Sequence, residues 1–318
     1  MNTLSRLKNF PISFFSVVMG LTGFTIGLQK AVVLYGLPTE LPTFFLGLSS
    51  TIFLTIALGY SLKLWFSCDE VKKEFNHPIK INFFPTISIS LLLLSVAFLP
   101  INPEISRYLW YTGTILHFII TVKIIGAWMH RDTFKIHQMS PAWFIPAVGN
   151  ILVPVAGVSL ANPEISWFFF SVGLCFWIIL LTVFFNRMFF HESLTEKLLP
   201  TLFIVIAPPA IGFISYVKLT GGIDSFSKIL YYFALFLALL MLSQLTIHYK
   251  IRYYLSWWAY SFPLAAISIA SVLMYHETKM SCYKNIFSFF MTLLSLLIVL
   301  LIYKTVRAII NKEICVED

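Results

Sequence analysis

The chain of 318 residues is 58% hydrophobic and only 11% charged, with a mean hydropathy of +0.85 and a net charge of +8. Soluble domains carry about 25% charged residues, so a water-soluble globular fold is excluded and an all-α polytopic membrane protein is expected. No connection between apolar stretches is long enough for a separate soluble unit, so residues 1–318 are expected to form a single transmembrane domain.

Ten apolar spans follow in order, at 12–35, 42–66, 83–99, 106–129, 142–160, 164–187, 200–218, 227–247, 255–275 and 286–309. Each is about 20 residues long, as a hydrocarbon core roughly 30 Å thick requires at about 1.5 Å per residue. Arg6 and Lys8 precede the first span and no small-residue cleavage site follows it, so this span is expected to be retained. Ser16, Gly20, Gly23 and Gly27 share one helical face of span one. A stripe of small groups either admits a neighbouring helix closely or lines a pore without obstructing it. Its place on span one favours the pore. The stretch 67–82 reads as a partly helical connection in which Lys72, Lys73 and Lys80 can meet anionic headgroups.

Interior proline separates the spans into two classes. Pro85, Pro146, Pro154, Pro208, Pro209 and Pro263 fall at or inside spans three, five, seven and nine, and Pro11 opens span one. The spans therefore read as five tandem hairpins, each a bent helix followed by a straight one. A helix broken at mid-depth leaves carbonyls that lipid cannot satisfy, so the bent members should face protein or a watery cavity. Span five is the most heavily interrupted, with Asn150 a polar amide near mid-depth that suits an interhelical hydrogen bond or a pore wall. The pentapeptide Asn-Pro-Glu-Ile-Ser occurs at 102–106 and again at 162–166, each copy opening an even-numbered span. Asn102 and Asn162 suit the N-cap, Pro103 and Pro163 the first helical position, and Glu104 and Glu164 the positive helix end. Independent choice of good starting chemistry would explain the pair, but the proline pattern favours tandem repetition.

With the N-terminus in the cytoplasm, 16 of the 22 Lys and Arg fall on the inner side. The positive-inside rule selects that orientation, with both termini cytoplasmic. Lys30 either snorkels to the outer interface or lines an outer vestibule. Trp65, Trp110, Trp128, Trp257 and Trp258 fall near span ends and read as interfacial aromatics. No Asp or Glu lies deep inside a span, which disfavours a pump or proton-coupled carrier. His117 in span four is the one deep group that titrates near neutrality, and a structural hydrogen bond accounts for it. The cysteines and histidines offer no disulfide framework and no zinc-ligand set. No nucleophile–base pair shares one depth, so the chain is not expected to be an enzyme, to hold a cofactor or to bind nucleic acid.

Five motifs stand in order on the odd spans and their approaches: Phe10-Pro11 with Phe15 and Met19-Gly20-Leu21; His77-Pro78 with Asn82-Phe83-Phe84; Pro141-Ala142-Trp143-Phe144-Ile145-Pro146 with Gly149-Asn150; Ala207-Pro208; and Trp258-Ala259-Tyr260-Ser261-Phe262-Pro263. On these motifs the chain bears a resemblance to the family of slow anion channels, bacterial tellurite-resistance membrane proteins and yeast-type dicarboxylate transporters. The resemblance implies five hairpins in quasi-fivefold array around a central pore, odd helices inside, and a homotrimer with one pore per subunit. It also implies that a phenylalanine on the ninth helix plugs the pore; the matching residue is Phe262. Some bacterial relatives bend span one at a proline, whereas Val17, Val18 and Met19 occupy that stretch here. The candidate lining comprises Ser16, Gly20, Gly23, Phe84, Pro146, Asn150, Pro208, Pro209, Pro263 and Ala266. The expected function is a passive channel or uniporter for small anions in the bacterial inner membrane. The alternative is a secondary transporter of an organic acid such as malate, or of an oxyanion such as tellurite or sulfite. Expected partners are small inorganic or organic anions and membrane lipids.

Overall fold

The computed structural model describes residues 3–248 and 251–316. All ten expected spans are helical: Ile12–Tyr35, Glu40–Phe66, Lys80–Phe98, Pro103–His130, Pro141–Leu160, Pro163–Phe190, Glu196–Thr220, Ser225–Ser243, Leu255–Thr278 and Ser281–Ile310. No strand occurs among the described residues. The connection after span two carries a short helix, Cys68–Asn76.

Odd and even spans differ in backbone. Each even span is one uninterrupted α-helix. Each odd span begins as a 3-10 helix and converts to α-helix part-way. The α segments begin at Phe15, Thr86, Phe144, Ala207 and Ser261. The prolines explain the position of the change. Pro85 precedes its α segment directly, and Pro146, Pro208, Pro209 and Pro263 lie within the first turn of theirs. There the missing N–H breaks no i→i−4 bond. Span five is interrupted twice, reverting to 3-10 over Gly149–Leu152 before Pro154 opens its last segment. Span one has no interior proline, and its α-helix runs unbroken from Phe15 to Tyr35, closed by Gly36 in the left-handed region at φ 65°.

Burial follows the same division. In the most apolar stretch of each span, 72–78% of residues are buried in the odd spans but only 22–39% in the even ones. Each odd span packs on the even span that follows it, and the odd spans touch one another in the cyclic order one, three, five, seven, nine and back to one. The bent helices thus form an inner ring and the straight helices an outer layer.

The carbonyls of span five find partners among side chains of its neighbours. Thr121 donates to the Pro146 carbonyl at 2.7 Å, Trp110 Nε1 to Val153 at 2.9 Å, Ser215 to Ile151 at 2.6 Å and Lys218 Nζ to Val155 at 2.7 Å. Asn150 Nδ2 reaches back to the Ala147 carbonyl at 2.8 Å. Trp110 is therefore a buried strut, not an interfacial aromatic; its indole N–H is spent on a carbonyl of the neighbouring span. At the even-span starts, Asn102 accepts from the Ile105 amide at 3.1 Å and Asn162 from the Glu164 amide at 2.9 Å, as the repeated pentapeptide requires.

Where span one begins, a buried ion pair ties three elements together. Lys63 Nζ lies 2.7 Å from Glu74 Oε2 and 2.8 Å from the Phe10 carbonyl. Tyr60 donates to Glu74 Oε2 at 2.9 Å, and Glu74 Oε1 accepts from the Ile12 amide at 3.1 Å. Glu74 thereby caps the first turn of span one. Lys63→Ala leaves the Glu74 carboxylate buried without its counter-charge and is expected to cost about 3–5 kcal/mol. The check is thermal unfolding of the detergent-solubilised protein; a midpoint equal to wild type would contradict this account.

Candidate pore

The inner ring encloses a cavity of about 80 Å³ whose wall is drawn entirely from the five odd spans. Span one contributes Ser16 and Met19, and span three contributes Phe83, Thr86 and Ile89. Span five supplies residues between Phe144 and Leu152, including Gly149; span seven supplies Ile204, Ala207, Pro208 and Ile211. Span nine supplies Trp258, Ala259, Phe262 and Pro263. On spans three, seven and nine the lining residues bracket the change from 3-10 to α-helix, and on span five they run from the first α residue, Phe144, across the second break at Gly149, so the cavity sits at the level of the breaks. Span one differs, because Ser16 and Met19 lie just beyond its change at Phe15.

The wall is uncharged and almost wholly apolar. Its hydroxyls, from Ser16 and Thr86, are turned to their own backbone: Ser16 donates to the Ser13 carbonyl at 2.6 Å and Thr86 to Phe83 at 2.5 Å. An ion here meets aromatic rings, aliphatic side chains and proline, with no fixed charge and no preformed cage of donors. Such a wall can pass an ion that sheds part of its water, but it has nothing to hold that ion strongly or to do covalent chemistry on it. Among the described residues no group of three or more His, Cys, Asp or Glu could hold a metal.

Of the residues singled out in the sequence, Ser16, Pro208, Phe262 and Pro263 come together on this wall. The others are placed elsewhere. A Cβ on Gly20 would overlap Ser261 Oγ and stand 2.9 Å from Trp258, and one on Gly23 would stand 3.0 Å from Ala265 and 3.4 Å from the Phe262 ring. Gly27 faces Met291 in the same way. Ser16 apart, the small-residue stripe of span one is thus a close-packing face against spans nine and ten. It bears on the cavity through Phe262, whose ring has the room that Gly23 leaves. Phe84 stacks edge-on against Phe75 and Tyr60, behind the wall. Pro146 and Asn150 turn toward Thr121 of span four. Pro209 and Ala266 are buried without reaching the cavity.

Met19, Phe83, Phe144 and Trp258, which belong to the motifs but not to the expected lining, also face the cavity. Phe83 rather than its neighbour Phe84 faces inward because the span-three start is a 3-10 helix, which advances about 120° per residue where an α-helical wheel assumes 100°. Trp258 belongs to the corresponding segment of span nine, which turns it inward: it is 1% exposed and its Nε1 donates to Thr305 Oγ1 at 2.9 Å. It is not an interfacial aromatic. His117 bonds Ser88 through Nδ1 at 2.9 Å and lies against Gly149 at the back of the wall. Gly20→Ala is expected to lose about 1–3 kcal/mol of stability, because neither Trp258 nor Ser261 can withdraw. An unchanged unfolding midpoint in detergent would show that spans one and nine are less tightly apposed.

Comparison with known proteins follows the same outline. The sequence pattern of the voltage-dependent anion channel family matches residues 9–306. The S-type anion channel SLAH3 of Arabidopsis thaliana is 31% identical over 279 residues, which is 84% of this chain and 43% of the plant protein. The guard cell S-type anion channel SLAC1 of the same plant is 24% identical over 282 residues, 84% of this chain and 50% of the relative. The tellurite resistance protein TehA homolog of Haemophilus influenzae is 24% identical over 314 residues, 96% of this chain and 94% of that protein. The chain spans half the length or less of these two plant channels.

Proposed function

The chain belongs to the voltage-dependent anion channel family, and from that premise we propose that it is a passive channel or uniporter for small anions with Phe262 as its gate. In this reading the odd spans stand in quasi-fivefold array around a central conduit, and the cavity at the level of the helix breaks is its narrowest, closed part. The observation that carries the reading is the uncharged wall built from all five odd spans, with the Phe262 ring set into it. A neutral conduit binds ions weakly and releases them quickly, and a flat apolar ring both narrows and dewets it. Residues Ser16, Met19, Thr86, Phe144, Pro208 and Pro263 line the conduit around that ring. The excess of Lys and Arg at the end where the odd spans start supports a cytoplasmic position for that end and both termini. The protein is a multi-pass membrane protein; we place it in the bacterial inner membrane as a homotrimer in which each subunit has its own conduit.

Phe262→Ala is expected to raise anion flux on the order of tenfold, equivalent to about 1.4 kcal/mol off the barrier. Currents in oocytes or chloride flux in proteoliposomes report it. Equal or lower flux in a folded variant would remove Phe262 from the gate. A second reading, export of an oxyanion or organic acid, draws on the nearly full-length match to the tellurite resistance protein homolog. Reversal potentials separate the two: a channel follows the anion gradient alone, whereas a proton-coupled carrier shifts with pH at a fixed anion gradient.

A further inference from the structure

At the end where the odd spans start, the ends of spans four and six and the start of span five carry several buried polar groups without partners. Arg187, in the last turn of span six, is only 3% exposed. Its Nη2 donates to the His137 carbonyl at 3.0 Å, but Nε and Nη1 have no partner. Ser140, fully buried at the start of span five, also has its hydroxyl unmatched. So do the indole N–H groups of Trp128, near the end of span four, and Trp143, which stack with ring centroids 4.6 Å apart. Glu192 acts on Arg187 through space, yet among the described residues no carboxylate makes an ion pair with it.

A buried guanidinium with two idle nitrogens, three N–H groups between them, bears the desolvation of its charge without return. A ligand that settles this deficit must bring several acceptor oxygens and negative charge to a planar fork. A phosphate group does both. The surroundings match a headgroup at the membrane surface, since Phe189, Phe190 and Met129 beside the junction are more than two-thirds exposed and apolar. We propose that Arg187, with Ser140, binds a phosphate group, carried by an anionic lipid headgroup or free in solution. The site is joined to the cavity: Phe184, one turn before Arg187, packs edge-on against the cavity-lining Phe144 with centroids 6.0 Å apart.

The test is thermal unfolding of the full chain in detergent, titrated in one arm with inorganic phosphate and in the other with phosphatidylglycerol, with phosphatidylcholine as the bulk-lipid control. A rise in midpoint with phosphatidylglycerol alone assigns a lipid headgroup, and a rise with inorganic phosphate assigns a free phosphate site. Either rise should vanish in Arg187→Gln. In Arg187→Lys, which keeps the charge but loses the fork, the apparent affinity should fall by about tenfold. No rise in wild type, an equal rise in Arg187→Gln, or unchanged affinity in Arg187→Lys overturns the proposal. The lysine variant keeps the test decisive where the glutamine variant does not fold.

Discussion

A bent helix in a membrane is tolerable only if the backbone groups released at the bend are given partners, because lipid offers none. That demand organises this molecule. Span five, interrupted twice, has carbonyls held by Thr121, Trp110, Ser215 and Lys218 from the spans around it and by its own Asn150. The donors approach from outside the ring or from neighbouring ring members, so the inner surface carries few polar side chains, Ser16 and Thr86, both turned to their own backbone. The apolar wall and the polar struts behind it are two sides of one solution. A site rich in donors at the axis would bind an anion tightly; moving those donors into the structure leaves a surface that an ion crosses without being held.

The straight spans serve the same end. They are uninterrupted, mostly exposed, and packed pairwise on the bent ones. Several of their polar residues tie them to the inner ring: Thr121 and Trp110 on span four hold span five, Ser106 pairs with Ser95 of span three, and Thr305 on span ten accepts from Trp258. Glycine supplies the remaining condition, closeness. Gly20 and Gly23 bring span one so near span nine that Ser261, Ala265 and Phe262 pack directly on its backbone. The ring is therefore tight where small residues allow contact, and it encloses a cavity at the level of the helix breaks.

The sequence made the architecture legible because its two signals are coarse and independent. Apolar length gives the spans, and proline position separates inner from outer helices; both survive errors of a few residues. The wall was less legible because a wall residue is decided by a rotation of about one residue. Phe84 and Phe83 are neighbours in sequence, but only Phe83 faces the cavity, and the difference is the 3-10 winding at the start of span three. The glycine stripe was open to two readings, and close packing prevails at Gly20, Gly23 and Gly27. Asn150 was likewise ambiguous; the demand of broken backbone for donors settles it as a strut. The Lys63–Glu74 pair had no sequence signal, since Glu74 belongs to a connection whose helix reads as ordinary charged surface.

That pair also bears on how the chain is assembled. The amide that Glu74 caps, at Ile12, lies 62 residues earlier in the sequence. During synthesis the opening turn of span one therefore emerges long before its acceptor exists, and it must wait, hydrated, until the short helix beyond span two has been made. Only then can the carboxylate and the Lys63 ammonium leave water together. The first hairpin and its trailing helix are thus tied through one buried charge pair, which cannot form before Glu74 has been made.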